Sequence, residues 1–395
     1  MDQVARPVLI FELTGSGFLV GSVIAARMAP NLILGMFAGS LIDRYPRRRV
    51  LVLSQFVNAL TALALVPLLL SDVIEAWHVI ALVALQGVNI AFFQPARQAV
   101  LPSLVPPAAL RSAVAMSQTA QHSMRIVGGV FGGVLLAVTS FEVIYGIMAI
   151  CYGVSILLLL GMRADTRPVQ KAQAATASIW QSTKEGARWA IDAKQPLVVV
   201  LVGAAMFMIV LPYQSVFLPI LVLDELDRDR AFVGYLAAAT GVGAVVGSFA
   251  IASLRSLPSH GLVMLGLLAL SGALLIGLAA SPELGLITAV LIAIGGSNVS
   301  FMSLNNLTML SLAPNEMAGR AMSLMNFGRG MIPIGALVAG VLADTIGARN
   351  GLLVMGLVAV AVSLTLFLFV PAVRALGAAE ERTTRQGRRG IGPEA

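Results

Sequence analysis

With 395 residues, 58% of them hydrophobic, only 11% charged and a mean hydropathy of +0.90, the chain carries more apolar surface than a globular fold can hide from water. A polytopic, all-α integral membrane protein is expected, and a membrane chain with basic loops accounts for the net charge of +7 without a nucleic-acid partner. Cys151 alone gives no disulfide framework and no CxxC site, His78, His122 and His260 are too scattered for a metal cluster, and none of Lys171, Lys184 and Lys194 stands in a phosphate-binding loop, so no cofactor is expected.

Charge-free runs about as long as the roughly 20 residues that cross hydrocarbon occur at 50–71, 76–96, 143–162, 195–223, 231–254, 256–282, 284–315 and 350–373. Three more stretches, 13–42, 112–141 and 321–343, are long enough, but each carries one internal arginine: Arg27, Arg125 and Arg329. Eleven complete membrane helices are predicted.

The start is unusual. Met1 to Thr14 contains Asp2, Arg6 and Glu12, has too few apolar residues to span, and lacks the layout of a signal peptide. It reads as the end of a truncated first helix, with Glu12 near the outer end. Either the reading frame begins further upstream or the protein works with eleven helices. No carboxylate is expected mid-span in any complete helix, since Glu12 lies in the remnant and Asp43 and Asp344 fall at edges.

Predicted helix two, 17–42, has two small-xxx-small pairs, Gly17 with Gly21 and Gly35 with Gly39, which allow close helix packing. Arg27 within it costs at least ~2.5 kcal/mol at mid-membrane, so it faces a cavity or partner, or else snorkels to the outer edge. The next stretch, GMFAGSLIDRYPRRRVL, is a tight inner turn. Gly39 and Asp43 share one helix face, and the missing side chain at 39 lets a second backbone approach the carboxylate. Arg44, Arg47, Arg48 and Arg49 are expected at headgroup level. Gly39, Leu41, Asp43, Arg44, Arg47 and Arg48 resemble the GxLxDRxGRR signature between the second and third helices of the major facilitator superfamily of transporters, with Pro46 where the signature usually has glycine.

Helix four ends in AFFQPARQAVLPSLVP, similar from Phe92 to Pro106 to the FFxPARxALLPxLVP stretch of the superfamily branch that includes the enterobactin exporter and macrolide efflux pumps. The LTGS turn, Leu13 to Ser16, also resembles that branch. Gln86, Asn89 and Gln94 either line a water-filled cavity or hydrogen-bond a neighbouring helix. The resemblance implies that Arg97 pairs with Asp43. Helix five combines Gln118, Gln121, His122 and Arg125 with Gly128, Gly129, Gly132 and Gly133, where related transporters carry a proline bend.

Four parts are expected: an N-terminal bundle at 1–162, a basic connector with an interfacial helix at 163–195, a C-terminal bundle at 196–372 and a disordered tail at 373–395. At an offset of 208, Phe93, Ser103, Leu104 and Pro106 repeat as Phe301, Ser311, Leu312 and Pro314, consistent with two pseudo-symmetric six-helix bundles. Tyr213, Gln214, Asn298, Asn305, Asn306, Asn326 and Arg329 are cavity candidates in the second half, with core hydrogen bonding the competing explanation. APNEMAGRAMSL, holding Arg320, resembles the branch's VPxExRGRxMSL. The first turn of helix eleven can hold the Asp43 carboxylate at an inner gate.

Nineteen of the 26 Lys and Arg fall in segments predicted inside and three outside, which puts the C-terminus in the cytoplasm. The resemblance implies the major facilitator fold and a monomeric, ion-driven exporter of a bulky amphipathic compound such as a drug or siderophore, rocking between two open states in a bacterial inner membrane, with lipid around it and a proton as coupling ion, for which Glu12 is the candidate carrier. An enzyme would need a convergent acid, histidine or metal constellation, which the sequence lacks. The alternatives are a non-transporting membrane scaffold or sensor, or an inactive truncated relative.

Overall fold

The computed structural model describes residues 1–42, 45–106, 109–162, 188, 191–253, 259–313, 321, 324–325 and 328–376. Among them every regular element is a helix, as lipid demands: with no water to take up backbone N–H and C=O groups, only structures that satisfy them internally can span. In chain order these are α1 (Asp2–Thr14), α2 (Gly17–Ile42), α3 (Arg47–Leu70), α4 (Ala76–Val100), α5 (Leu110–Val138), α6 (Phe141–Gly161), α7 (Gln195–Glu225), α8 (Arg230–Ser253), α9 (His260–Ala280), α10 (Leu284–Leu312), α11 (Ile332–Ile346), α12 (Ala348–Phe369) and the short α13 (Pro371–Ala375). Eight of them, α3, α4, α6, α7, α8, α9, α10 and α12, are long and apolar enough to cross a membrane. They coincide with the eight charge-free runs. Below, "outer" names the helix ends that the arginine count assigns to the outside.

The chain packs as two compact units. The first comprises Met1–Trp180, Pro212–Gly241 and Ile332–Ala348, which is α1 to α6 with the later part of α7, the earlier part of α8, and α11. The second comprises Gln181–Leu211, Val242–Met331 and Arg349–Ala395.

In the first unit α1 stops at Gly15, whose φ of 63° is left-handed and whose N–H caps Phe11 O, so only glycine sits there without strain. Further along, α5 crosses α8 at Gly133 and Gly234. A Cβ on either residue would overlap the other's carbonyl oxygen, so the two backbones touch directly. Large apolar side chains of α6, among them Ile150, Leu157 and Leu158, point outward, as a lipid-facing surface requires.

In the second unit α9 and α10 are joined by a buried hydrogen bond between the Ser271 and Ser297 hydroxyls at 2.9 Å. The Ser363 hydroxyl of α12 donates to Leu265 O at 2.8 Å. Arg349, at the start of α12, donates to Ala279 O in the last turn of α9 and to the O of its cap residue Ser281, both at 3.0 Å.

Two features depart from the sequence-based expectation. Helix α7 is not regular: Met206–Val210, Tyr213–Phe217 and Leu221–Glu225 are π-helical around Pro212 and Pro219, each of which removes an N–H from the ladder and shifts the bonding partner by one residue. And the chain after Pro371, expected to be disordered, begins as helix α13, held by the buried Val373 and Leu376 and by Arg374, which donates to Phe367 O and Leu368 O. The rest of that tail, 377–395, and the connector through 187 lie outside the described residues, as does all of the expected interfacial helix apart from 188 and 191–194.

Candidate functional site

The most unusual chemistry of the first unit sits at the start of α1. Counting down from the outer cap at Gly15, the 13 residues of this helix descend about 20 Å, at 1.5 Å per residue. Asp2 thus stands at the end of α1 farthest from that cap. Its carboxylate lies 2.6 Å from Arg6 Nη2, one turn along α1, and Arg27 Nη1 of α2 donates to its other oxygen at 3.1 Å. Asp2 and Arg6 are buried, and Arg27 is partly so. Two guanidinium groups therefore converge on one carboxylate.

The polar line continues inward. Arg6 Nη1 donates to Gln86 Oε1 of α4 at 3.0 Å, and Gln86 Nε2 donates to Thr61 Oγ1 of α3 at 2.9 Å. One turn further along α4, Asn89 Nδ2 donates to Ser54 O and Asn58 Oδ1, both at 2.9 Å. Buried Tyr145 of α6 lies against Arg6. Each of these groups would cost several kcal/mol if desolvated alone; linked, they carry a charge cluster through the middle of a helix bundle. Among the described residues the Nε of Arg6 and of Arg27 have no partner, so donors remain for a further group.

Of the residues singled out from the sequence, Arg27 thus meets a carboxylate, and Gln86 and Asn89 make the interhelical bonds that were the alternative to lining a cavity. The Gln86→Leu variant leaves an N–H of Arg6 and the Thr61 hydroxyl without this partner. It should lower stability by about 2 kcal/mol, read as a drop of several degrees in the thermal midpoint in detergent. An unchanged midpoint would mean that the bridge contributes nothing.

Glu12 stands near the outer end of α1, half-exposed and 3.8 Å from Arg230 Nη1, beside an open cavity of about 580 Å³ that Leu136, Ser140, Arg228 and Asp229 also line. Arg230 in turn stacks over the Phe141 ring at 4.8 Å. Of the signature arginines, Arg47 donates to Ala99 O and Arg48 to Leu159 O and Leu160 O, so the start of α3 grips the ends of α4 and α6 rather than only reaching headgroups. Arg97 donates to Gln94 Oε1 at 3.1 Å and lies 5.8 Å over Phe93.

Tyr213 is buried on a π-helical turn of α7, next to the half-buried Gln214. In the second unit Asn298 and Asn305 are buried on α10, and the Asn305 amide faces Gly203 of α7. The side-chain oxygens of Asn298, Asn305 and Asn306 accept nothing among the described residues. Arg329, in the same unit, is half-buried and engaged. Asp43, Arg44, Arg320 and Asn326 lie outside the described residues, and so do the expected contacts of Asp43 with Arg97 and helix eleven. Gly39, Gln118, His122 and Arg125 fall on described helical backbone, but what surrounds them lies outside the described set.

Asp2 and Arg6 are the functional candidates that the sequence reading passed over. The signal was present: an i, i+4 Asp–Arg pair on one face of α1, its aspartate thirteen residues before the capping Gly15, with a second arginine in the next apolar run.

A bundle of long apolar helices around a buried charge cluster defines a class, a polytopic membrane protein. Solved structures share the fold along nearly the whole chain. The inward-open xylose transporter XylE of E. coli superimposes with a TM-score of 0.66 at 12% identity, covering 94% of this chain and 92% of XylE. An inward-facing bacterial homologue of the human lysosomal transporter Spinster gives a TM-score of 0.70 at 13% identity, covering 95% and 94%. By sequence, the chain is 26% identical over 388 residues to the multidrug efflux pump Tap of Mycolicibacterium fortuitum, covering 96% of this chain and 93% of Tap. It is 21% identical over 365 residues to macrolide efflux protein A of Streptococcus pyogenes, covering 92% and 90%. The profile of the transmembrane secretion effector family matches residues 1–386, and the chain belongs to this family of major facilitator transporters.

Proposed function

We propose that the protein is a monomeric, ion-driven exporter of a bulky amphipathic small molecule, a drug or siderophore, in a bacterial inner membrane with its C-terminus in the cytoplasm. The family and the efflux pumps among its relatives support the direction and the cargo class. The observation that carries the reading is Asp2, a buried carboxylate held between Arg6 and Arg27 inside a bundle of apolar helices. An ionisable group there is costly to keep and has a use in moving charge. Glu12, near the outer end of α1, is the second candidate for carrying the coupling proton.

In this mechanism a proton taken up by Asp2 removes the negative charge that Arg27 and Arg6 share. Arg27, on a different helix, is then free to turn toward the path, and the two sequence halves rock about the site. Asp43, between Gly39 and the arginines, latches the inner gate when the outer side is open, with Arg97, Arg44 and Arg320 around it. The residues Gln118, His122, Arg125, Asn298, Asn305, Asn326, Arg329, Tyr213 and Gln214 supply the polar lining that meets the cargo.

The test is export by the purified protein in proton-loaded vesicles, using a fluorescent amphiphilic dye. Asp43→Asn should lower the rate by about ten-fold, a loss of roughly 1.4 kcal/mol, while insertion and the amount of folded protein stay the same. Export at the wild-type rate in that variant would retire the inner latch, and no dye movement by the wild-type protein across a panel of amphiphiles would retire the exporter.

A further inference from the structure

Asp344, near the end of α11, makes a contact for which the reading above has no role. Its Oδ1 accepts the Gly17 N–H at 2.5 Å, and its Oδ2 accepts the Phe18 N–H and the Ser16 hydroxyl, both at 2.9 Å. Gly17 and Phe18 open α2, so the carboxylate of one helix caps the N-terminus of another, 326 to 328 residues away in sequence. Free N–H groups and the positive end of the helix dipole both favour a negative charge at that point. The surrounding packing is built for it. A Cβ on Gly340 would overlap Gly17 O, and one on Gly21 would overlap Ala336 O, so α2 and α11 meet backbone to backbone below the cap. All of these residues belong to the first compact unit.

The arrangement has a counterpart in the sequence. Helices α2 and α11 belong to opposite sequence halves and run antiparallel in the predicted topology. α2 is followed at once by Asp43 at its inner end, and α11 carries Asp344 at its outer end.

We propose that Asp344 is a gate-positioning residue: its carboxylate latches α11 to the first turn of α2 and holds the outer side shut, reciprocally with Asp43 at the inner side. This rests on the alternating-access reading above. Rocking α11 against α2 separates one end while it closes the other, so the two latches engage by turns. The contact suits a latch rather than a permanent bond, because Asp344 is exposed and its carboxylate passes to water when the helices part.

The test measures the distance between spin labels placed at Val73 and Glu283, two exposed positions on predicted outer turns away from the latch, in a Cys151→Ser background. Relative to wild type, Asp344→Ala should raise the share of long outer distances about three-fold or more, as expected from loss of a charge–dipole contact. Asp344→Glu should restore much of the short-distance population. Asp43→Ala should shift the distribution the opposite way, which a general loosening of the fold would not do. A distribution for Asp344→Ala that matches wild type, or one that moves in the same direction as Asp43→Ala, overturns the proposal. Should Asp344→Ala fail to insert, Ser16→Ala, which removes only one donor, should still lengthen the outer distance, and no change would count equally against the latch. Wild-type protein that moves no dye while its distances respond as described would sink the exporter reading and leave the latch standing.

Discussion

Asp2→Asn should abolish export, by about 100-fold or more, while the protein still reaches the membrane. The substitution keeps the shape and one hydrogen-bond acceptor but leaves Arg6 and Arg27 sharing no counter-charge in the described cluster. Breaking a buried pair by removing one partner costs about 3–5 kcal/mol, so the thermal midpoint should fall as well. Loss of activity alone would then be ambiguous, and the double variant Asp2→Asn with Arg6→Gln, which removes both members of the buried pair, separates the causes. Removing both charges from a contacting pair should recover a large part of the lost stability, with a coupling energy on the order of 1–3 kcal/mol. Export should not recover, because the carboxylate that takes up the proton is still absent. If the double variant regains export together with stability, the cluster is a structural ion pair and the coupling role falls.

The second large effect is expected at the crossing of α5 and α8. Leucine at Gly133 drives its side chain into the Gly234 carbonyl, and no rotamer avoids a clash that begins at Cβ. The helices must move apart, at a cost of about 3 kcal/mol or more, and the close packing of the outer part of the first unit goes with them. We expect Gly133→Leu to insert, to melt several degrees below wild type, and to lose most of its export. Gly133→Ala should lie between the two. The control is Gly153→Leu on α6, where an added Cβ meets nothing within 4 Å; it should behave as wild type. Equal thermal midpoints for the Gly133 and Gly153 variants would show that the crossing is not tight in the membrane.

Much of the fold was legible because hydrocarbon imposes so simple a rule. A run of about 20 uncharged residues has few alternatives to a spanning helix, and all eight such runs are long apolar helices here. The three arginine-bearing stretches correspond to the shorter apolar segments Gly17–Pro30, Val127–Val138 and Ile332–Ile346. Helix α7 was less legible, because its prolines act through the backbone ladder and leave the apolar pattern untouched. Arg374 and Val373 were hidden in a segment whose average composition is polar, although two buried side chains suffice to anchor one turn.

The candidate site was legible in part, and the reason is geometric. Arg27 drew notice because an arginine inside an apolar run is costly, but its partner Asp2 stood outside every run. Position along the chain hid its depth, which depends on where Gly15 ends α1 and not on where the sequence starts. Gln86 and Asn89 were polar residues on an apolar helix, a pattern equally consistent with a wet path and with interhelical bonding. Only the positions of Thr61, Ser54 and Asn58 on the facing helix distinguish the two. Asp344 sat at a helix edge, where carboxylates are common, and nothing local shows that the first turn of α2 lies across from it.

Coupled export by this protein requires a proton to move through Asp2 as cargo leaves. Purified protein in vesicles, given an amphiphilic cation or acid on the cytoplasmic-equivalent side and a pH-sensitive dye within, reports that movement directly. Wild-type protein should show cargo-dependent proton flux opposite to the cargo, and Asp2→Asn should show none even where the cargo still binds. Proton flux of the same size and cargo dependence in both proteins would contradict the central claim.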